Sequence, residues 1–199
     1  MQQVLKDVIK ETIAPLLKGA GFMRRGNNFA RVSPNFSVTA NIQASKWNTQ
    51  GEVEFCFNTG IYMEELFGTV YLYPKPAFPT VVSSVLQIRG TELTNNDNWY
   101  KLTPDSNVEE LKRRITNDIS EFILPHLQQF EEVEDVIRVM EQREKAGIYE
   151  NPHHLTVLYR LTGDMEQAQA RMTKVYNELK LESQKEFTAG LALWLGLEV

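Results

Sequence analysis

The chain has 199 residues, 42% hydrophobic and 24% charged, which is apolar enough for a packed core and excludes a disordered coil. A net charge of −5 leaves no surplus of Lys and Arg to neutralise a phosphate backbone, so a nucleic-acid partner is disfavoured. No stretch reaches the roughly 18 uninterrupted apolar residues of a membrane span, MQQVLKDVIKE lacks the pattern of a secretory signal, and the single Cys56 cannot close an internal disulfide; the expectation is a cytoplasmic protein with no membrane partner.

In residues 3–18 the apolar side chains Val4, Leu5, Val8, Ile9, Ile13, Leu16 and Leu17 recur at three and four, the stripe of an amphipathic helix. Gly19 is placed to give a left-handed cap, and Pro15, lacking an amide proton, predicts a bend near Thr12–Pro15. The period then changes to two. FMRRGNNFARV, FSVTANIQAS and EVEFCFNTGIY, separated by Gly26-Asn27, Pro34-Asn35 and Trp47–Gly51, read as four strands of a meander. Keeping apolar residues on one face pairs Ala44 with Val53, Ile42 with Phe55 and Ala40 with Phe57, across a four-residue loop Trp47–Gln50. The same parity puts Phe22, Phe29, Phe36 and Val38 on the core face. The opposite face carries Thr39, Asn41 and Gln43 against Glu54, Cys56 and Asn58, a row rich in amides.

TVYLY and TVVSSVLQI predict further strands on either side of the PKPAFP run, and NWYKL a short last one. A capping box at Ser106 and Glu109 opens a long helix carrying Val108, Leu111, Ile115, Ile119, Phe122 and Ile123, expected to cover the apolar face of the sheet. From Glu131 the pattern is helical throughout, with an end at Gly147 and starts at Asn151-Pro152, Asp164 and Ser183. Residues 132–199 hold 8 basic and 12 acidic side chains, so most of the net negative charge lies there. The reading is α+β: residues 1–130 an antiparallel β-meander sheet with helices on one face, residues 131–199 an all-α C-terminal extension. Leu155, Tyr159, Gly163-Asp164 and Ala168 fall at the offsets of one tetratricopeptide hairpin, and Phe187, Leu191, Trp194 and Leu195 form a stripe on the last helix.

Chemistry is sparse in this pattern. The three His are His126 and the adjacent His153-His154, whose side chains point about 100° apart on a helix and read as surface residues at a helix start, so no metal site and no cofactor is expected. Cys56 has no nucleophile motif around it; parity puts it on the polar face, where partial exposure would follow. Neither GxGxxG nor GxxxxGK[ST] occurs, and no catalytic constellation can be named. Arg24 and Arg31 share the face of Phe22 and Phe29; they read either as edge ion pairs, with Glu11 or a tail carboxylate, or as a two-forked anion clamp. Asn41, Gln43 and Asn58 each offer a donor and an acceptor, with Trp47 and Trp99-Tyr100 as candidate aromatic contacts at the rim. Against a binding role stands the plain need of a one-sided sheet for a polar outer face, or for cover by another element.

The ordered blocks GFMRRGNNFARV, NIQASKWN, FNTGIY, DNWYKL and the helix ending in LPHL resemble the bacterial domain of unknown function 4304 family over about residues 3–130. The run SSVLQIRG departs from the more charged pattern of that family. The resemblance implies a compact α+β domain; members near bacterial toxin systems extend it to an immunity protein. The leading expectation is a non-catalytic protein-binding module of the immunity or adaptor kind, using the polar face, the Pro-rich excursion or the tail. The alternative is a small-molecule or nucleotide-related enzyme whose anion site, between sheet and tail, uses Arg24, Arg31 and Lys46. A third reading makes the tail helices a homodimer surface.

Overall fold

The computed structural model describes residues 1–71, 74–94, 99–148 and 151–199. In chain order the elements are α1 (Gln2–Val8), a π turn (Ile9–Ile13), α2 (Ala14–Gly19), β1 (Met23–Arg25), β2 (Asn28–Val32), β3 (Ser37–Ala44), β4 (Val53–Tyr62), α3 (Glu64–Val70), a 3-10 turn (Val81–Ser83), β5 (Leu86–Arg89), α4 (Gly90–Leu93), β6 (Tyr100–Leu102), α5 (Val108–Asp118), a second π turn (Ile119–Ile123), α6 (Leu124–Gln128), α7 (Val133–Lys145), α8 (Pro152–Thr162), α9 (Met165–Glu178) and α10 (Glu182–Leu195). They form two units: Met1–Tyr62 with Pro76–Phe130, and Met63–Lys75 with Glu131–Val199. The architecture is α+β.

The first unit is built on two helical rods and a sheet. Each rod contains a proline, and each widens one turn before it. Pro15 cannot donate, and the Ala14 N–H reaches back five residues to Ile9 O; Pro125 is preceded in the same way by Leu124 N–H on Ile119 O. The bend expected near Thr12–Pro15 takes this form. The first rod ends at Ala20, and the left-handed residue is Gly21 (φ 86°) rather than Gly19. The second rod is capped by Asn107, whose side chain accepts the Glu110 N–H, not by Ser106, whose hydroxyl accepts the Thr103 N–H at 2.8 Å. Leu111, Ile115, Ile119 and Ile123 are buried, whereas Phe122 falls outside that i+4 line and is exposed.

The sheet is antiparallel, in the order β1-β2-β3-β4-β5, with β6 also on β4. β3 runs the length of one edge of β4. The other edge is shared: β5 pairs with Asn58–Ile61, β6 with Val53–Phe55, and α4 fills the gap between them. At Gly90 a Cβ would sit 2.9 Å from Phe57 Cβ, so only glycine lets α4 come this close. Phe22, Phe29, Phe36, Val38, Ala40, Ile42, Val53, Phe55 and Phe57 are all buried on one face, as the alternation requires. Two hydrogen bonds tie the second rod to that face: Tyr100 Oη to Asp118 Oδ2 at 2.6 Å, and Arg31 Nη2 to Leu127 O at 3.3 Å.

The faces come out as expected, but the β3–β4 register is shifted by two residues: Ala44 opposes Phe55, Ile42 opposes Phe57 and Ala40 opposes Thr59. The hairpin loop is longer than four residues because Asn48 acts as a substitute strand. Its side chain donates to Glu54 O and accepts from Glu54 N–H, and Thr49 and Glu52 bond to each other. Ala44 at the loop end is exposed. Of the later strands, TVYLY is corrected: its first residues end helix α3, and Leu72 and Tyr73 lie outside the described residues. TVVSSVLQI begins as a 3-10 turn capped by Thr80 and becomes strand at Leu86. Of NWYKL, Asn98 lies outside the described residues and Tyr100–Leu102 form β6.

The second unit packs α3 and α7–α10. α8 starts at the Asn151 cap and stops at Gly163 (φ 84°), α9 starts at the Asp164 cap, and Leu155 and Ala168 are buried between them. His153 and His154 are buried, contrary to a surface reading. His153 Nε2 meets Thr188 Oγ1 at 2.9 Å and Nδ1 meets Asn151 Oδ1 at 3.2 Å, while His154 Nε2 meets Tyr71 Oη at 2.9 Å. These imidazoles fasten α10 and the end of α3 to the start of α8. On α10 the buried stripe is Thr188, Leu191, Ala192 and Leu195; Phe187 and Trp194 fall outside it and are exposed. Among the described residues no helix is long and apolar enough to cross a membrane.

Candidate functional site

The polar face of the sheet is divided in two by the chain that follows the Pro-rich run. Over the end nearer Ser37, Thr80–Val85 crosses the face and is fastened there. Thr39 Oγ1 donates to Gly60 O and lies 3.0 Å from Ser84 Oγ, Ser84 Oγ donates to Thr80 O, and Val85 N–H donates to Ile61 O. This close approach depends on Gly60, where a Cβ would stand 2.7 Å from the Ser84 side chain. Thr39 is therefore fully buried although it lies on the polar face.

The other end is left open as a cleft of about 400 Å³. Its floor is Asn41, Gln43 and Asn58, and Val81, Val82, Gln87, Arg89 and Glu92 line it further, Gln87 Nε2 donating to Ser84 O at 3.1 Å. Strand pairing aligns these residues. Asn28 opposes Asn41, Asn41 opposes Asn58, and Asn58 opposes Arg89, so four polar side chains stand in one row across four strands. At about 4.8 Å per strand the row is about 14 Å long.

Internal hydrogen bonds use only part of this polarity. Asn58 Nδ2 donates to Gln43 Oε1 at 2.8 Å, and Asn41 Nδ2 donates to Asn28 Oδ1 at 2.9 Å. Among the described residues, Asn41 Oδ1, Asn58 Oδ1 and Gln43 Nε2 keep their remaining capacity, and the Arg89 guanidinium has neither ion pair nor hydrogen bond. Glu92 lies at the same end, its Oε1 accepting the Arg89 backbone N–H at 3.1 Å. The cleft thus offers two carbonyl acceptors, one amide donor pair and one cation.

Of the residues singled out from sequence, Asn41, Gln43 and Asn58 come together here and the others do not. Arg24 and Arg31 lie on the opposite face, each over a ring: Arg24 5.6 Å from Phe29 with Nε on Gly26 O, and Arg31 5.5 Å from Phe22 with Nη2 on Leu127 O. Glu11, a suggested partner, instead holds Lys112 at 3.0 Å. Lys46 rests 5.0 Å over its neighbour Trp47, which is exposed at the hairpin tip. Trp99 is half-buried, and Tyr100 belongs to the core, stacked on Phe55 at 5.2 Å under the Arg114 guanidinium. Burial, then the bond to Asp118, raises the Tyr100 pKa far above the phenol range. Among the described residues no aromatic side chain lines the cleft.

Cys56 is on the polar face as parity requires, opposite Gln43, but it is buried rather than partly exposed. It lines a cavity of about 10 Å³ with Gly90, Thr91 and Thr94, at the limit of room for one water. Burial raises the thiol pKa and the Arg89 charge offsets this in part, which leaves a protonated and poorly nucleophilic thiol. Among the described residues no group of three or more His, Cys, Asp or Glu is placed to hold a metal. A wider groove of about 670 Å³ lies between the two rods, but its Lys112 is neutralised by Glu11 and Glu109.

The cleft wall escaped the sequence reading. Alternation in LQIR does put Gln87 and Arg89 on one side, but their pairing partners Gly60 and Asn58 lie 27 and 31 residues back and no local signal aligns them. Asn28 could have been found, since parity with Phe29 on the core face sends it outward.

Residues 13–129 match the family model described as Domain of unknown function (DUF4304), and the chain belongs to that family. No curated protein and no solved structure matches it.

Proposed function

We propose that this member of the DUF4304 family is a non-catalytic protein-binding module, an adaptor or immunity protein of the bacterial cytoplasm, that receives its partner in the cleft on the polar sheet face. The observation that carries the reading is the unused polarity of the floor. A sheet face that needed only solvation is satisfied by any polar residues, whereas here Asn58 is held by its bond to Gln43 and Asn41 by its bond to Asn28, with one donor pair and two acceptors presented outward. A lone Cys, buried and protonated, suits a reducing compartment.

Photo-cross-linking in the host cell tests this. A benzophenone amino acid at Gln43 or at Val82, which is 89% exposed on the cleft wall, is expected to give the same protein adduct, and one at Leu193, 82% exposed on α10, is expected to give none. Adducts from Leu193 alone, or none from either cleft position, would count against the cleft as the docking surface.

A further inference from the structure

We infer that the cleft takes an extended segment of the partner, laid along the Asn28–Asn41–Asn58–Arg89 row, with an internal Asp or Glu side chain seated on the Arg89 guanidinium. This rests on the reading of the cleft as a protein-docking surface and names what it recognises.

The row and an extended peptide have the same length. An extended chain rises about 3.3 Å per residue, so four residues cover the roughly 14 Å from Asn28 to Arg89. The free groups also match a backbone. Asn41 Oδ1 and Asn58 Oδ1 accept from peptide N–H groups, and Gln43 Nε2 donates to a peptide carbonyl. Side chains of such a segment that turn toward the crossing segment meet Val81 and the exposed Val82.

The cation at one end selects the charge. Among the described residues Arg89 is the one basic side chain of the cleft, and its guanidinium is uncommitted. A planar fork is the geometric complement of a carboxylate. A phosphate, with nearly two negative charges, would meet one guanidinium and the adjacent Glu92 carboxylate, a poor balance; a singly charged carboxylate fits better. A base or a sugar ring would find no aromatic face to stack on among the described residues of the cleft. A chain-terminal carboxylate is disfavoured because terminal capture uses backbone amides, and the Arg89 N–H is already given to Glu92. β5 ends the strand order on that side and Arg89 is exposed, so among the described residues no further strand stops a chain that continues past it.

The test uses the full chain and three fluorescent hexapeptide libraries, acetylated and amidated, with a central Glu, Gln or Lys and all other positions randomised. Fluorescence anisotropy is expected to show the Glu library bound at least tenfold tighter than the Gln library. Arg89→Gln should erase that difference, and Arg89→Glu should move the preference to the Lys library. Equal binding of the Glu and Gln libraries by the native protein, or a Glu preference that survives Arg89→Glu, overturns the inference. So does a fourth library, with central Gln and an unamidated C-terminus, that binds as tightly as the capped Glu library. Side-chain amide NMR signals separate the two levels. If those of Asn41, Gln43 and Asn58 move alike with every library, docking in the cleft stands and the Arg89 pairing falls; if none moves, both fall.

Discussion

Gly60→Ala is the sharpest probe of how the polar face is divided. An added Cβ would stand 2.7 Å from Ser84 Cβ and Oγ and 2.9 Å from Leu86 O, whereas ordinary contacts begin near 3.4 Å, so Thr80–Val85 must lift by several tenths of an ångström. Overpacking of this kind costs about 1–3 kcal/mol. Ser84→Gly alone removes the hydroxyl that donates to Thr80 O, at about 1 kcal/mol. Independent effects would sum to about 2–4 kcal/mol in the double variant. Because the methyl group added at position 60 occupies space that the Ser84 side chain vacates, the double variant is expected to fall short of that sum by about 1 kcal/mol or more, with the remaining strain at Leu86 O preventing full rescue. Urea unfolding followed by circular dichroism gives the cycle, and hydrogen exchange at the Val85 amide, bonded to Ile61 O, reports the crossing segment directly. Additive losses, or a Gly60→Ala variant as stable as the native chain with unchanged exchange at Val85, would refute the account of a fastened crossing segment.

Tyr100→Phe deletes a buried hydroxyl from a 2.6 Å bond to Asp118 and should cost about 1.5–3 kcal/mol in urea unfolding at neutral pH. Because the folded Tyr100 pKa is raised above the unfolded value of about 10, its contribution is whole below that pH and is lost as pH rises above it; the variant should lose less stability than the native chain between about pH 10 and 11.5. His153 behaves oppositely with pH. Burial lowers its folded pKa, so its contribution is whole above the unfolded value of about 6.5 and declines as pH falls below it. Urea midpoints of the helical unit should drop between about pH 7.5 and 5.0, and His153→Gln, which keeps a partner for Thr188, should flatten that drop; an unchanged slope would remove the imidazole from the account.

The sequence carried the fold where periodicity and side-chain type agree. Alternation from Phe22 to Phe57 sorts core from polar face without any structure, because a one-residue slip would bury Asn41 and Asn58 and expose Phe55 and Phe57. Pro15 marked its own helix defect. The β3–β4 register was not legible, since parity permits shifts of two and the Asn48 bonds to Glu54 that choose among them depend on a loop conformation. The strand assigned to TVYLY and the surface assigned to His153 and His154 failed because β propensity and position in a helix carry little weight against tertiary packing.

Half of the candidate site was visible in the same way. Asn41, Gln43 and Asn58 follow from alternation alone, a local property of the pleated chain that each residue specifies with its neighbours. Arg89, Glu92 and the closure of one end by Ser84 over Gly60 follow from strand pairing and segment crossing between residues far apart in sequence. Which side of a strand a residue faces is written into its nearest neighbours; only the folded chain decides which strands lie side by side, because that choice is made by the summed burial and hydrogen bonding of the whole sheet.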